Sequence, residues 1–251
     1  MKSGGKLEVT FELDEIERAI LNFAEELARE SKKIVYKSLY YKAKRELNYS
    51  KIEISNAINQ LYLKKYIVVG SRLTRNQVLQ NATRKKVYDY LRLHIGAHIR
   101  EIREKLSITP HVLNWHLNML ENFEYIYRIK FLKYVNFFPT NFNKNDVFSF
   151  LVLKNKNSLQ IFKIILKNPF IRFESLKNNL NLQKSIISYH LDNLIKYELV
   201  FTQETNNKVF YGINHDKIVS IKSFYNFSDE EIQKSIKKQT IMSEKISFGG
   251  K

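Results

Sequence analysis

Two short stretches of this chain carry side chains able to grip a polyanion, and both carry them at helical spacing. His111, Asn114, Trp115 and Asn118 fall at i, i+3, i+4 and i+7, one face of a helix. Lys184, Ser185, Ser188 and Tyr189 form a similar face further on, with Asp192 at its edge. Asn and His can hydrogen-bond the edges of bases, and Lys and Ser can reach bases or phosphate oxygens. The opposite faces are apolar: Leu113, Leu117 and Leu120 in one stretch, Ile187, Leu191 and Leu194 in the other. These are expected to anchor each helix to a core. Trp115 and Tyr189 admit two readings, closing that core or facing a groove. His116 and His190, beside the anchoring leucines, suit packing or a backbone bond better than base reading.

The two stretches belong to a longer repeat. Residues Val87 to Ile126 align without a gap to Ile161 to Val200, 74 positions on. Only five of the forty pairs are identical (Leu106/Leu180, His116/His190, Leu117/Leu191, Leu120/Leu194 and Glu124/Glu198), but seventeen are apolar in both copies. The helical spacing is kept while the surface differs, as expected of two diverged copies of one small fold.

The elements that must position these faces follow from pattern and punctuation. In the first copy the spacing predicts helices over 83–95, 98–106 and 109–123, with Thr109 as N-cap and Pro110 at the first helical position. The aromatic and β-branched run from Tyr125 to Phe138 predicts two strands, closed by Pro139. In the second copy helices are predicted over 158–167, 173–180 and 184–197, then strands over 199–204 and 209–213 about the turn Thr205-Asn206-Asn207-Lys208. A fainter third copy precedes them. A shift of 59 pairs Leu47 with Leu106, Ile54 with Leu113, Ile58 with Leu117 and Leu61 with Leu120. It would hold a helix over 13–29 and a strand over 66–70, with 71–82 as linker. Its third helix would show Lys51, Glu53, Ser55 and Asn56, a poorer face for nucleic acid and a candidate site for a protein partner. Ser228 with Glu231 starts a last helix to about Thr240, which is read either as a dimerisation or tracking element or as a solvated tail. The terminal Ser247-Phe248-Gly249-Gly250-Lys251 is expected to be disordered. The domains are therefore placed at 1–82, 83–145, 150–222 and 223–251.

Composition narrows the function classes. The formal net charge is +17, spread as +5 over 1–82, +5 over 83–150 and +7 over 151–251. A basic surface over the whole length favours nucleic acid. Lys exceeds Arg by 31 to 11, and Asn and Ile abound, so codon bias in an AT-rich genome is a second source of the charge. No run nears the ~18 apolar residues that span a membrane, and the opening MKSGGKLEVTFELDE lacks an apolar signal core. A cytoplasmic, nucleoid-associated protein without membrane contact is expected. There are no cysteines, so thiolate metal sites and disulfides are excluded.

The segments WHLNMLENFEYI and SYHLDNLIKYELV resemble the recognition-helix signature of ArsR- and MarR-like winged-helix regulators, a His-Leu pair followed two residues later by Leu. The stretch from Asn81 to Glu121 is similar to the two-winged-helix transcriptional regulators common in archaea. The resemblance covers most of 83–215. It implies a mainly α fold with small β-hairpin wings, in tandem winged helix-turn-helix domains, three if the N-terminal copy is counted. It also implies binding of double-stranded DNA, with each third helix in the major groove and each hairpin on the backbone, and control of transcription. The metal-sensing thiols of the ArsR family are absent, so metal sensing is not implied. Within that frame Arg128, Lys130 and Lys133 on the first hairpin, and Asn206, Asn207 and Lys208 on the second, are candidate phosphate contacts. Arg84, Lys85 and Lys86 sit at a helix start, where backbone N–H groups also favour phosphate. The first hairpin lacks a Gly or Asn turn.

No Gly-rich phosphate loop, HExxH or Gly-x-Ser-x-Gly occurs. His94 and His98 lack a third ligand at useful spacing. The chain is expected to be no enzyme and to need no cofactor or metal. A homodimer is compatible with two reading heads per chain but not required by them. The competing expectation is a non-catalytic assembly protein, because winged helices also build the membrane-remodelling ESCRT-II complex and the general transcription machinery. A non-specific architectural DNA-binding protein is a further alternative.

Overall fold

The computed structural model describes residues 12–248, with side chains described to residue 244. The opening segment to Phe11 and the end from Gly249, where most of the expected terminal disorder falls, lie outside the described residues. The chain is mainly helical with two small antiparallel sheets, and it divides into two compact units after Phe142. This architecture agrees with the winged-helix expectation. Among the described residues no helix is long and apolar enough to cross a membrane.

The first unit begins with α1 (Glu15–Arg29), α2 (Tyr36–Glu46) and α3 (Lys51–Leu63). Asp14 with Glu17 and Ser50 with Glu53 form reciprocal capping boxes that fix the starts of α1 and α3. Glu17 is buried and bonded to Lys64 Nζ at 2.7 and 2.8 Å, which pins the start of α1 to the end of α3. Ile20, Ala24, Leu39, Ile54, Ile58 and Leu61 fill the core between them. The strand expected over 66–70 does not form. Gly70 turns the chain with φ at +72°, and Ile34 exchanges single backbone bonds with Gly70 and Ser71 instead. With no following partner strand, the segment cannot make a hairpin. The expected linker holds a short helix, α4 (Arg75–Val78).

Next come α5 (Ala82–Leu93), β1 (Ala97–His98), α6 (Ile99–Leu106) and α7 (Pro110–Asn122). Asn81 caps α5 through its side chain, and Pro110 opens α7 where its missing N–H costs nothing. Strands β2 (Ile126–Phe131) and β3 (Tyr134–Pro139) pair in a two-residue hairpin, and β1 joins β3 to make a sheet in the order β1-β3-β2. The turn forms without Gly or Asn, with Leu132 at φ +52°.

The second unit opens with α8 (Val147–Lys154), which the sequence reading missed, and α9 (Lys156–Lys167). The order of the first unit's second half then returns: β4 (Ile171–Arg172), α10 (Phe173–Asn178), α11 (Lys184–Lys196), β5 (Val200–Thr205) and β6 (Lys208–Ile213), with sheet order β4-β6-β5. Asn206 and Asn207, at φ +53° and +57°, make the tight turn. After α12 (Asp216–Val219), α13 (Asp229–Phe248) packs on α9 through buried Ile232 and Ser235. It is longer than expected, and its first half is docked rather than a solvated tail, because Gln239 bonds both the N–H and C=O of Ile213 at 2.9 and 3.0 Å.

One local device, which also ends α1 at Ser31, closes the third helix of each copy. After α3, α7 and α11, a residue at positive φ follows the cap: Lys65, Glu124 and Glu198 at +57°, +53° and +58°. Tyr66, Tyr125 and Leu199 then donate to Leu61, Leu120 and Leu194, each at 2.9 Å. This is the paired C-terminal closure in which the left-handed residue reverses the chain.

Candidate nucleic-acid interface

Apolar spacing places α7 and α11 as expected. Leu113, Leu117, Leu120, Ile187, Leu191 and Leu194 are all buried. The opposite face of α7 exposes His111, Asn114 and Asn118, with Trp115 at 49% exposure. That of α11 exposes Lys184, Ser185 and Asp192, with Ser188 intermediate and Tyr189 at 52%. The two aromatic side chains therefore stand at matching, half-open positions and do not close the cores.

The bases of the two helices differ. His116 is buried, and burial together with the nearby Arg84 guanidinium pushes its imidazole below the usual histidine range. Arg84 is the clearest correction to the sequence reading. It is buried, donates to the carbonyl of Val78 at 2.7 Å and lies 4.9 Å from the centre of the Trp115 ring. It cannot reach a phosphate. A charged residue at a helix start reads as solvated, but the Asn81 cap turns this third residue of α5 inward against α7. Burial also lowers the guanidinium's pKa from its ordinary value. His116 Nδ1 and Arg84 Nε are among the described buried side-chain atoms with no hydrogen-bond partner.

In the second copy the residue matching Arg84 is Ser158, whose hydroxyl lies 2.9 Å from His190 Nδ1. Asn157 Nδ2 lies 3.4 Å from the other ring nitrogen. Burial lowers the His190 pKa. His190 therefore ties the third helix to the first, whereas His116 is buried near Arg84 without a partner for Nδ1, and neither ring faces outward.

The hairpins also differ. Arg128 reaches from β2 to α7, where it bonds Asn118 Oδ1 at 2.7 Å and forms a two-pronged ion pair with Glu121. Arg128 stays exposed, its side chain 44% open, and shares its charge with Glu121 because the tight reversal after α7 brings position 128 beside position 121. Asn118 is engaged by the same guanidinium. Lys130 and Lys133 are exposed, Lys133 lying over the Tyr134 ring at 5.5 Å. Asn206, Asn207 and Lys208 stand exposed at the tip of the second hairpin. Lys184 opens α11 over the Phe173 ring at 5.9 Å. Lys85 is exposed but bridges Asp89 at 2.7 Å, and Lys86 is exposed. His94 stacks on Tyr90, and His98 caps α6 and stacks on Tyr134, so that pair serves local structure.

The face of α3 is of another kind. Ile52 and Leu63 are 73% and 70% exposed beside Lys51, Glu53 and Asn56, and no hairpin follows among the described residues. Sequence reasoning missed the Arg84–Trp115 stack and the α13 link to β6. One signal could have found the first: Arg84 stands three and four residues before the apolar Val87 and Tyr88, on the inward face of the same helix.

No family model matches the chain. A segment of 142 residues, 57% of the chain, is 32% identical to an uncharacterized HTH-type transcriptional regulator of Methanocaldococcus jannaschii. The match covers 36% of that protein, so the chain spans about a third of the relative's length.

Proposed function

We propose that this chain is a non-catalytic, DNA-binding regulator of transcription, built as a row of three helix-turn-helix units of which the second and third carry wings. The observation that carries the reading is the matched pair of open faces on α7 and α11, each held by a buried leucine and a buried histidine and each followed by a hairpin. The net charge of +17 and the helix-turn-helix regulator relative support it. In this reading α7 and α11 enter the major groove, His111, Asn114, Ser185 and Ser188 meet bases, and Lys130, Lys133, Lys184 and Lys208 meet phosphates. Because the two faces differ, the two heads read different sequences.

The test is selection of bound sequences from random duplex DNA at two salt concentrations. An enriched, asymmetric motif is expected, and the double substitution Asn114→Ala with Lys184→Ala should weaken binding to it. Trp115 is the single tryptophan, so its emission reports contact at α7 directly. Loss of affinity with salt but no enriched motif would mean non-specific, architectural binding. A second reading has its own observation. The α7 helix carries no basic residue and exposes Val112 with Trp115, and α3 exposes Ile52 and Leu63. Such surfaces suit a protein partner, and no DNA binding at low salt would favour that reading.

A further inference from the structure

We propose that the groove between α9 and α13 binds a small amphipathic anion, a charged head carrying an apolar chain. Lys163 and Lys167 lie one turn apart on α9, and Lys234 and Lys238 lie one turn apart on α13. The two rows line one cavity of about 420 Å³. Its floor is apolar, formed by buried Leu166 and Phe227. The one carboxylate in the lining, Glu231, is held at its own helix start by the Ser228 N–H and hydroxyl at 3.0 and 3.2 Å. Those bonds lower its pKa and occupy Oε2, and the charges of Lys167 and Lys163 lower it further. Lys234 shares Glu230 at 2.6 Å on the open side, and Lys238 donates to the carbonyl of Lys167 at 3.0 Å. Four lysines line the hollow against a single carboxylate, so an anionic head would meet net positive charge there. The hollow then continues past Lys167 and Lys238 into a second one of about 340 Å³ lined by Pro169, Ile241 and Met242. Ile241 and Met242 are exposed, so an apolar chain laid there would cover them.

The groove touches the hairpin through α13. Gln239 bonds both backbone groups of Ile213, and Ser235 lies 3.1 Å from His215 Nε2. An occupant that shifts α13 therefore pulls on β6. Any effect on DNA binding rests on the reading above, whereas occupancy itself does not.

The full chain is titrated by calorimetry, without DNA, with dodecyl phosphate below its micelle concentration. Saturable binding is expected, at least tenfold weaker after Lys163→Ala with Lys234→Ala and weaker after Ile241→Ser, with circular dichroism unchanged in both. Inorganic phosphate and the uncharged dodecyl maltoside should each bind at least tenfold more weakly. Equal binding of either, affinity unchanged by the substitutions, or no saturable binding would overturn the proposal. So would binding to phosphatidylglycerol vesicles without binding to the free amphiphile, which would assign the groove to a membrane surface.

Discussion

His116 and His190 stand 74 positions apart at the base of matching helices, and each is buried for the same reason: the leucine beside it must reach the core. The two units then solve the same problem differently. Around His190 the small Ser158 and Asn157 supply hydrogen bonds to both ring nitrogens. Around His116 the matching position holds a large cation, and Arg84 fills the space, bonds Val78 and supports the Trp115 ring from beneath. The second arrangement leaves two buried nitrogens unpartnered but gains a cation held against an indole. One unit has a compact, hydrogen-bonded joint, and the other a partly unsatisfied one that packs against an exposed aromatic. Divergence changed the means of anchoring and left the anchored helix in place.

The comparison can be broken where the units agree and sharpened where they differ. Leu117→Ala and Leu191→Ala remove the shared anchor and should each cost about 3 kcal/mol in urea unfolding, from lost burial plus a cavity. A loss below about 1 kcal/mol at either site would show that the two helices are not held alike. Arg84→Ala should cost about 2 kcal/mol, because it leaves the Val78 carbonyl unpaired, and should shift Trp115 emission to the red. Ser158→Ala should cost only about 1 kcal/mol, the worth of a typical neutral hydrogen bond. A larger loss for the serine would reverse the ranking of the two joints.

Acid should expose both histidines. Burial disfavours the charged imidazole in the fold, so the unfolded chain takes up its proton first, from about pH 6.5 downward. Stability should fall as pH drops below that value and gain nothing from these groups above it. His190→Gln, measured between pH 7.5 and 5, should flatten part of the slope. The smallest effect lies in the hairpins. Leu132 adopts a left-handed conformation that side chains resist, whereas Asn206 and Asn207 suit it. Leu132→Asn should therefore stabilise by up to about 1 kcal/mol, and Asn206→Ala should destabilise by a similar amount, both read by thermal unfolding.

Much of the frame was legible because apolar periodicity records which side of a helix faces inward. Leu113, Leu117, Leu120 and their counterparts were found that way, and helix starts at Pro110 and Ser228 were read from capping chemistry. The first hairpin was legible in its aromatic run, but its turn was not, because Leu132 carries no turn signal. The N-terminal strand was misread because a short apolar run says nothing about a partner strand, and Tyr66 to Gly70 has none. The α8 helix went unread because its eight residues are nearly all apolar and show no period. Of the candidate contacts, Arg84 is buried against α7, and Arg128 stays exposed while pairing with Glu121 across the turn that follows α7.

Local pattern alone thus determined the repeat, the order of the helices and hairpins within the two copies, the buried leucines and the uniform positive charge. Each of these depends only on residue type at fixed spacing along one helix or strand. Which cations remain on the surface was decided by tertiary structure. A guanidinium's surroundings depend on what packs against it, and only the fold brings Val78 and Trp115 to Arg84, Glu121 to Arg128, and Gln239 to β6.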